Sequence, residues 1–253
     1  WRVGGETGNF QTYGLGPNGE EAIYIVQHQA EIKHESKESH KEAARKAFGF
    51  WNHSSTQGRS DYLDRKQVGY YGIRFRSNEQ YGNVAVVPMF DDAGNLWSYQ
   101  LLNADGTKRH PKDSRTNGLF HMLKKPTNGK EIGIAESYVT AATCMELSGI
   151  PVASAFSCHN LKRTAQSIRK LFPESHLIIF ADNDKHLELR GNCNQGLSKA
   201  QEAQKEVSQG VSLIVPVFDN CSPNKACSDF NDLMIMKGRN HAAQQIQSFL
   251  KNL

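Results

Sequence analysis

Residues 132–184 carry the clearest pattern of secondary structure in this chain: IGIAESYVTAATCMELSGIPVASAFSCHNLKRTAQSIRKLFPESHLIIFADND. It contains three short apolar runs of strand length, and the first two are each followed by a segment whose apolar residues have helical spacing. Strands that alternate with helices are typical of a mostly parallel sheet that is covered by helices on both faces. The sequence therefore predicts an α/β fold for this part of the chain.

The same alternation continues toward the C-terminus, so we predict one α/β domain over residues 131–253. Its predicted strands are Ile132–Ala135, Val152–Phe156, Leu177–Ala181 and Val211–Val215. Its predicted helices are Tyr138–Leu147, Leu161–Leu171, Gly196–Val207, Asp229–Met236 and His241–Leu250.

Upstream of this domain the periodicity changes, and we predict a smaller α+β domain over residues 1–130. Two alternating runs separated by Asp- and Gly-containing turns indicate an antiparallel meander. The predicted elements are a strand at Glu21–Val26, helices at Lys37–Trp51 and Ser60–Lys66, and meander strands at Asn83–Phe90 and Leu96–Leu102. The basic, loop-rich segment Gly106–Lys130 is the predicted junction between the two domains.

Composition narrows the class of protein. The 253 residues are 38% hydrophobic and 22% charged, which is typical of a globular protein of one or two domains. No apolar run approaches the roughly 20 residues of a membrane-spanning helix, and the N-terminus has no secretory pattern, so we expect a cytoplasmic protein without a membrane partner. The net charge of +4 is compatible with a polyanionic partner. Because the chain starts at Trp1, we expect it to be a fragment of a longer protein.

Acidic side chains follow the predicted strands. Glu136 follows the first strand, Asp182 and Asp184 follow the third, and Asp229 and Asp232 open a helix after the last. The carboxyl ends of parallel strands meet at one edge of a sheet, and clustered carboxylates there are typical of an Mg²⁺ site for phosphoryl chemistry. The alternative for any one of these residues is a turn or a helix cap, above all for Asp229.

Several motifs in this order resemble the plasmid- and phage-type DNA primases that carry a Toprim domain, a DnaG-like catalytic core. IAESYVTA (134–141) resembles "EGYATA", FADND (180–184) resembles "ADND", NQGLSKA (194–200) resembles "NPGxxKA", and SDFNDL (228–233) resembles "DFNDL". YLDRK (62–66) and YGIRFR (71–76) resemble the stretch that precedes this domain in the same family, as does the region from Val86 to Arg109. The match spans about residues 40 to 240.

The resemblance implies a Rossmann-like Toprim domain after residue 130 and metal-dependent synthesis of short RNA primers on single-stranded DNA. It implies an origin in a mobile-element replication or transfer protein of a plasmid or phage. Ribonucleoside triphosphates and a single-stranded DNA template are the implied partners, and a helicase or a helicase domain outside this chain is a further one.

The resemblance also implies roles for particular residues. Glu136, Asp182 and Asp184 are the implied catalytic residues. Asp182 and Asp184 are implied to hold Mg²⁺ or Mn²⁺, and Glu136 is implied to be a further ligand or a general acid/base near the transferring phosphate. Asp232 is a weaker candidate, either for an accessory metal or as a carboxylate that supports the ligands. Guanidinium and ammonium groups suit phosphate oxygens. The implied residues for binding nucleic acid or nucleotide are Arg74, Arg76, Arg109, Lys112, Arg115, Asn160 and Lys199. Four aromatic residues, Tyr70, Tyr71, Phe75 and Tyr81, are either core residues or platforms for template bases.

Two departures from the family pattern keep other functions open. Ser137 replaces the usual Gly, and Ser157-Cys158-His159 replaces "DAG". The alternatives are a Toprim-type metal-dependent nuclease and a catalytically inert nucleic-acid-binding Toprim module. A topoisomerase is the least favoured, because no segment is typical of the domain that supplies an attacking tyrosine.

Overall fold

The described residues form two sheets with helices around them. A computed structural model of the chain describes residues 37–78, 82–207, 209–219 and 227–253. The strand predicted at Glu21–Val26 lies outside the described residues, as does Tyr81. Among the residues described, no helix is long and apolar enough to cross a membrane.

The first sheet is the predicted antiparallel meander. Residues 37–52 form helix α1 and Asp61–Arg65 form α2, whose N-terminus is capped by the Ser60 side chain. The four strands follow in sheet order: β1 (Arg74–Asn78), β2 (Gly82–Phe90), β3 (Leu96–Leu102) and β4 (Lys108–Arg109). The hairpin between β2 and β3 and the two N-terminal helices confirm what the sequence predicted.

The second sheet has five strands in the order β5-β7-β6-β8-β9, and β5 alone is antiparallel to its neighbour. The strands are β5 (His121–Met122), β6 (Ile132–Ala135), β7 (Val152–Ser154), β8 (Leu177–Phe180) and β9 (Val211–Ile214). The helices are α3 (Tyr138–Ser148), α4 (Leu161–Leu171), α5 (Lys185–Glu188), α6 (Gln195–Val207), α7 (Phe230–Lys237) and α8 (Arg239–Leu250), and a 3₁₀ turn at Cys158–Asn160 precedes α4.

Helices cover both faces of this sheet, as the sequence predicted. Apolar residues of α3, α7 and α8 pack on one face, and those of α4 and α6 pack on the other. Strands β6 and β8 are buried over their whole length, because each lies between two layers of helices. The α/β fold class is therefore confirmed for the C-terminal part.

The first sheet shares a hydrophobic core with one face of the second sheet. Residues of the meander, among them Phe75 and Val87, pack in the same cluster as Tyr138 of α3. The Tyr138 hydroxyl accepts a hydrogen bond from the Tyr71 backbone N–H (2.7 Å) and donates one to the Gly69 carbonyl (3.2 Å). These contacts fix the segment that leads into β1 against the N-terminal end of α3.

Strand β5 lies just before the domain boundary predicted at residue 130. His121 pairs with Ser154 of β7, so this short segment already belongs to the second sheet. The division at residue 130 remains a prediction.

Candidate active site

The order of the strands creates a crevice at the carboxyl end of the second sheet. The chain passes from β6 to β7 on one side and then returns to place β8 on the other side of β6. In open parallel sheets, ligands bind at this kind of switch point, outside the carboxyl ends of the strands. Ala135 of β6 is opposite Phe180 of β8, so Glu136 and Asp182 follow neighbouring strands.

The three predicted catalytic carboxylates open into one cleft. Glu136, Asp182 and Asp184 line a cavity of about 690 Å³. Its other walls come from the loop after β7 and from the segment that leads into α6, and they consist of Cys158, Leu187, Asn192, Cys193, Gln195 and Gly196. Residues 46 positions apart in the chain thus face the same space.

Asp182 is the carboxyl group of the cleft whose pKa is raised most strongly. Its Oδ1 atom is buried and has no hydrogen-bond partner among the described residues. Burial raises the pKa of the Asp182 carboxyl well above its usual range, and the negative charges of Asp229, Glu136 and Asp184 raise it further. This arrangement favours either a proton or a cation at Asp182.

Glu136 is subject to the charges of the same group of carboxylates. Burial raises the pKa of Glu136, and the charge of Asp184 adds to this effect. The Lys108 ammonium and the backbone N–H of Cys158 act in the opposite direction and lower the Glu136 pKa. Lys108 belongs to β4, so the first sheet supplies a cation to the carboxylates of the second.

Asp184 is held by donors from two other segments. The Ser228 hydroxyl donates to Asp184 Oδ1 (2.7 Å), and the Gly196 N–H at the start of α6 donates to Oδ2 (3.3 Å). A Cβ atom at Gly196 would lie 2.9 Å from the Asp182 carbonyl oxygen, so only glycine allows α6 to begin this close to the acidic strand end. The motif NQGLSKA therefore positions the carboxylates.

Ser137 is a helix cap. Its hydroxyl accepts a hydrogen bond from the Thr140 N–H (3.1 Å) and lies 2.9 Å from the Thr140 hydroxyl, which donates to Asp229 Oδ2 (2.7 Å). Asp229 in turn caps α7 by accepting from the Asp232 N–H (2.8 Å). Both expected roles of Asp229 are thus compatible: it caps a helix, and its charge acts on the cleft.

The altered loop after β7 also shapes the cleft. Phe156 adopts a left-handed backbone conformation (φ 67°), which is rare for a bulky residue and typical of strained functional loops. The loop then turns into the 3₁₀ segment, whose Cys158 lines the cleft and whose N–H acts on Glu136. The departure from the family pattern leaves the carboxylates in place.

Asp232 does not line this cleft. Its carboxylate lies 3.3 Å from the Lys66 ammonium, in a half-buried ion pair between α7 and the segment after α2. Its role as a weaker metal ligand remains a prediction, and the structure gives it a different contact.

Arg74 and Arg76 both pack against the end of α1. The Arg74 guanidinium lies 4.5 Å from the centroid of the Trp51 ring and donates to the Trp51 carbonyl (2.6 Å). The Arg76 guanidinium lies 4.1 Å from the Phe50 ring and donates to Ser54 Oγ (3.2 Å). These contacts attach α1 to β1, so both side chains have a structural role.

The other predicted phosphate ligands are dispersed. Arg109 and Lys112 are exposed, and Arg115 lies 5.0 Å from the Trp97 ring. Lys199 forms an ion pair with Glu202 (2.7 Å) in a cavity of about 280 Å³ beside the carboxylate cleft.

Asn160 has a structural role. It is 6% exposed, accepts from the Gly118 N–H (2.7 Å), and donates to the carbonyls of Leu119 (2.7 Å) and Ala155 (2.9 Å). Since its amide is fully used, we leave Asn160 out of the proposed binding surface.

Of the four aromatic candidates, Phe75 is 6% exposed and part of the core. Tyr70 packs against its edge, at 5.0 Å between ring centroids, and Tyr71 is half-buried with its hydroxyl on Glu146. The core alternative therefore holds for Phe75.

The sequence did not predict a role for Lys108, whose charge lowers the pKa of Glu136, and its neighbour Arg109 was predicted instead. The backbone N–H of Cys158 was also missed, since a backbone donor leaves no trace in residue types.

The donors in the cleft suit a hard divalent cation. In the described part of the chain, no group of three or more His, Cys, Asp or Glu side chains converges closely enough to hold a metal by itself. Mg²⁺ usually binds through one or two carboxylates, several waters and substrate phosphates. The unpaired oxygen of Asp182 and the excess of negative charge around it meet this requirement.

Comparison with known proteins agrees with this geometry. The family model of the Toprim domain matches residues 131–240. DNA primase TraC from Escherichia coli is 36% identical over 143 residues, which is 55% of this chain and 13% of that protein. The chain therefore matches only a small part of this relative's length.

Two solved structures share the fold. The primase fragment of the bacteriophage T7 primase-helicase protein superposes with a TM-score of 0.50 at 17% identity and covers 74% of this chain and 68% of that one. The DnaG catalytic core gives a TM-score of 0.52 at 11% identity, covering 83% of this chain and 79% of that one. Both matches cover more of this chain than residues 131–240 do, so they extend beyond the Toprim region. The resemblance drawn from the sequence motifs is confirmed: this chain carries a Toprim domain over residues 131–240 and is homologous to the DNA primase TraC.

Proposed function

We propose that the chain is a DNA primase catalytic core that joins ribonucleotides on a single-stranded DNA template in the cytoplasm of a bacterial cell. The observation that carries this proposal is the cleft at the switch point, where Glu136, Asp182 and Asp184 converge and a buried Asp182 oxygen has no protein partner. The homology to a DNA primase supports the same reaction class.

The three carboxylates have different proposed roles, because their surroundings differ. Asp182 and Asp184 would hold Mg²⁺ or Mn²⁺ together with the phosphates of the substrate, and such a cation neutralises charge that develops on the phosphate oxygens. Asp184 is fixed by Ser228 and Gly196, whereas Asp182 retains a free oxygen.

Glu136 is the proposed proton acceptor. Burial and the neighbouring Asp184 raise its pKa, which makes the Glu136 carboxylate a stronger base. It would take the proton of the primer 3′-hydroxyl while that oxygen bonds to the α-phosphorus of the incoming nucleotide and pyrophosphate leaves. Lys108, Arg109 and Lys112 lie on the meander side and are the proposed phosphate contacts.

Template-dependent oligoribonucleotide synthesis tests the proposal. Asp182→Ala should lower the rate by about 100-fold or more, since one preorganised electrostatic group at a reacting centre is worth on the order of 10²–10³. Asp219→Ala is the matched control, because this carboxylate is exposed and pairs with Lys237 outside the cleft. Equal synthesis by wild type and Asp182→Ala would refute the site.

A labelled DNA template in the same assay separates the alternatives. Metal-dependent cleavage of the template without synthesis would show a nuclease. Neither reaction, with oligonucleotide binding retained, would show an inert binding module.

A further inference from the structure

A second groove lies on the first sheet, away from the carboxylate cleft. It has a volume of about 700 Å³ and runs between one side of α1 and the hairpin of β2 and β3. Helix α1 contributes Lys41, Arg45, Phe48 and Trp51 to it, at the spacing of one helical stripe, and the hairpin contributes Trp97. The opposite side of α1, with Ala43 and Ala47, is buried.

The groove exposes aromatic rings that the fold does not bury. Phe48 is 56% exposed, the largest exposed fraction among the aromatic residues of the described part, and Trp51 and Trp97 are half-buried. The Trp97 indole N–H donates to Asp91 (2.7 Å), and the guanidinium of Arg115 lies over the same ring. Arg74 holds Trp51 in the same way, so both indoles are fixed in orientation.

Cations border these rings. Lys41 and Arg45 line the groove, and no acidic side chain is among its lining residues in the described chain. Their ion pairs, Lys41 with Glu38 and Arg45 with Glu42, join side chains that are each more than half exposed. Exposed pairs of this kind are weak, so a phosphate can displace the carboxylate.

From these observations we infer that the groove binds a single strand of nucleic acid, with unpaired bases stacked on Phe48, Trp51 and Trp97 and with Lys41 and Arg45 on its phosphates. Ring platforms beside backbone-tracking cations are the usual way in which proteins hold single strands without reading their sequence. The inference deepens the proposed function, on which it rests, by assigning the template a surface outside the catalytic cleft.

Binding of a fluorescein-labelled dT₁₅ oligonucleotide, measured by anisotropy at two or more salt concentrations, tests the inference. Phe48→Ala should weaken binding by about tenfold, given the stacking contribution of one base. Arg45→Ala should weaken binding and reduce the slope of log affinity against log salt by about 0.7, as expected for one lost phosphate contact on a single strand. Both side chains are exposed, so circular dichroism should show an unchanged fold.

Lys46→Ala is the matched control. Lys46 neighbours Arg45 and pairs with the same Glu42, but it does not line the groove. The affinity of Lys46→Ala for dT₁₅ should stay within twofold of the wild-type affinity. A loss in Lys46→Ala equal to that in Arg45→Ala would overturn the inference, as would an unchanged affinity in Phe48→Ala or equal affinity for a duplex of the same length.

Asp182→Ala separates this inference from the catalytic proposal. It should bind dT₁₅ as wild type does, since the groove and the cleft have no lining residue in common. If synthesis survives in Asp182→Ala, the catalytic proposal fails while the groove stands; if Phe48→Ala binds normally and synthesis still depends on Asp182, the groove fails and the catalytic proposal stands.

Discussion

Among the single residues, Asp182 is a group that lowers the stability of the fold when it is ionised. Its carboxyl is buried near three other carboxylates, and its Oδ1 has no partner among the described residues. Such a group opposes folding when it is ionised without a cation. A binding site for a cation is the arrangement in which this opposition is relieved.

The stability of the protein without metal should therefore depend on the ionisation of Asp182. Because the pKa of Asp182 is raised in the folded state, its contribution to stability is present below the unfolded pKa and is lost as the pH rises through the folded pKa. Asp182→Asn has no proton to lose, so it should be more stable than wild type at pH 8 and show a smaller decrease in stability from pH 5 to pH 8. Urea unfolding in EDTA at both pH values measures this difference, and equal slopes for the two proteins would contradict it.

Divalent metal should make the wild type more stable than Asp182→Asn. Mn²⁺ at about 100 times its Kd should raise the free energy of unfolding of the wild type by about 2.7 kcal/mol and that of Asp182→Asn by much less. Asp219→Asn, a change outside the cleft, should respond to Mn²⁺ as the wild type does.

At the scale of elements, the first turn of α3 connects local capping to the active site. Ser137 caps α3, Thr140 in its first turn holds Asp229, and Asp229 caps α7. These contacts fix the first turns of α3 and α7 and the acidic end of β6 relative to each other. The family pattern has glycine at position 137, and glycine is also accepted at a helix N-cap.

Substitutions at residue 137 should separate capping from catalysis. Ser137→Ala should lower the free energy of unfolding by about 1 kcal/mol, because the hydroxyl that accepts from the Thr140 N–H is lost. Ser137→Gly should cost only a few tenths of a kcal/mol and retain primer synthesis. Thermal unfolding and the synthesis assay measure both quantities, and a loss of synthesis in Ser137→Gly would give Ser137 a role beyond the cap.

At the scale of the whole molecule, one buried histidine joins the two sheets. His121 of β5 is 4% exposed, and its Nε2 lies 2.7 Å from the Tyr71 carbonyl oxygen, to which the neutral ring donates. Burial lowers the pKa of His121 from 6.5 to about 4. The junction between the meander and the Toprim domain therefore requires a neutral imidazole.

Acid should weaken this junction. The unfolded chain binds a proton at His121 below about pH 6.5 and the folded protein does so only near pH 4, so this contribution is intact above pH 6.5 and is lost as the pH falls toward 4. The shift corresponds to about 3 kcal/mol. The loss should be absent in His121→Gln, which keeps a donor for Tyr71, and present in His159→Gln, which changes an exposed ring. Urea unfolding between pH 4 and 7 tests it, and a wild-type loss no larger than that of His121→Gln would contradict it.

The amino-acid sequence alone predicted every strand and α-helix described within residues 131–253 except α5, and it predicted where the acidic residues follow the strands. Strands β6 and β8 and helix α4 appear within a residue of their predicted bounds, because apolar periodicity and backbone hydrogen bonding are local properties. Glu136, Asp182 and Asp184 could be placed at one edge because parallel strands end together.

The surroundings of those carboxylates, and the partners of the other candidate residues, became visible only in the folded structure. Lys108 acts on Glu136 and Asp182 from another sheet, whereas Arg74 and Arg76 attach α1 to the meander. These partners are 23 to 74 residues apart in the chain. Contacts over such separations depend on how helices and strands pack against each other in three dimensions. The pattern of residue types along one segment does not encode that packing.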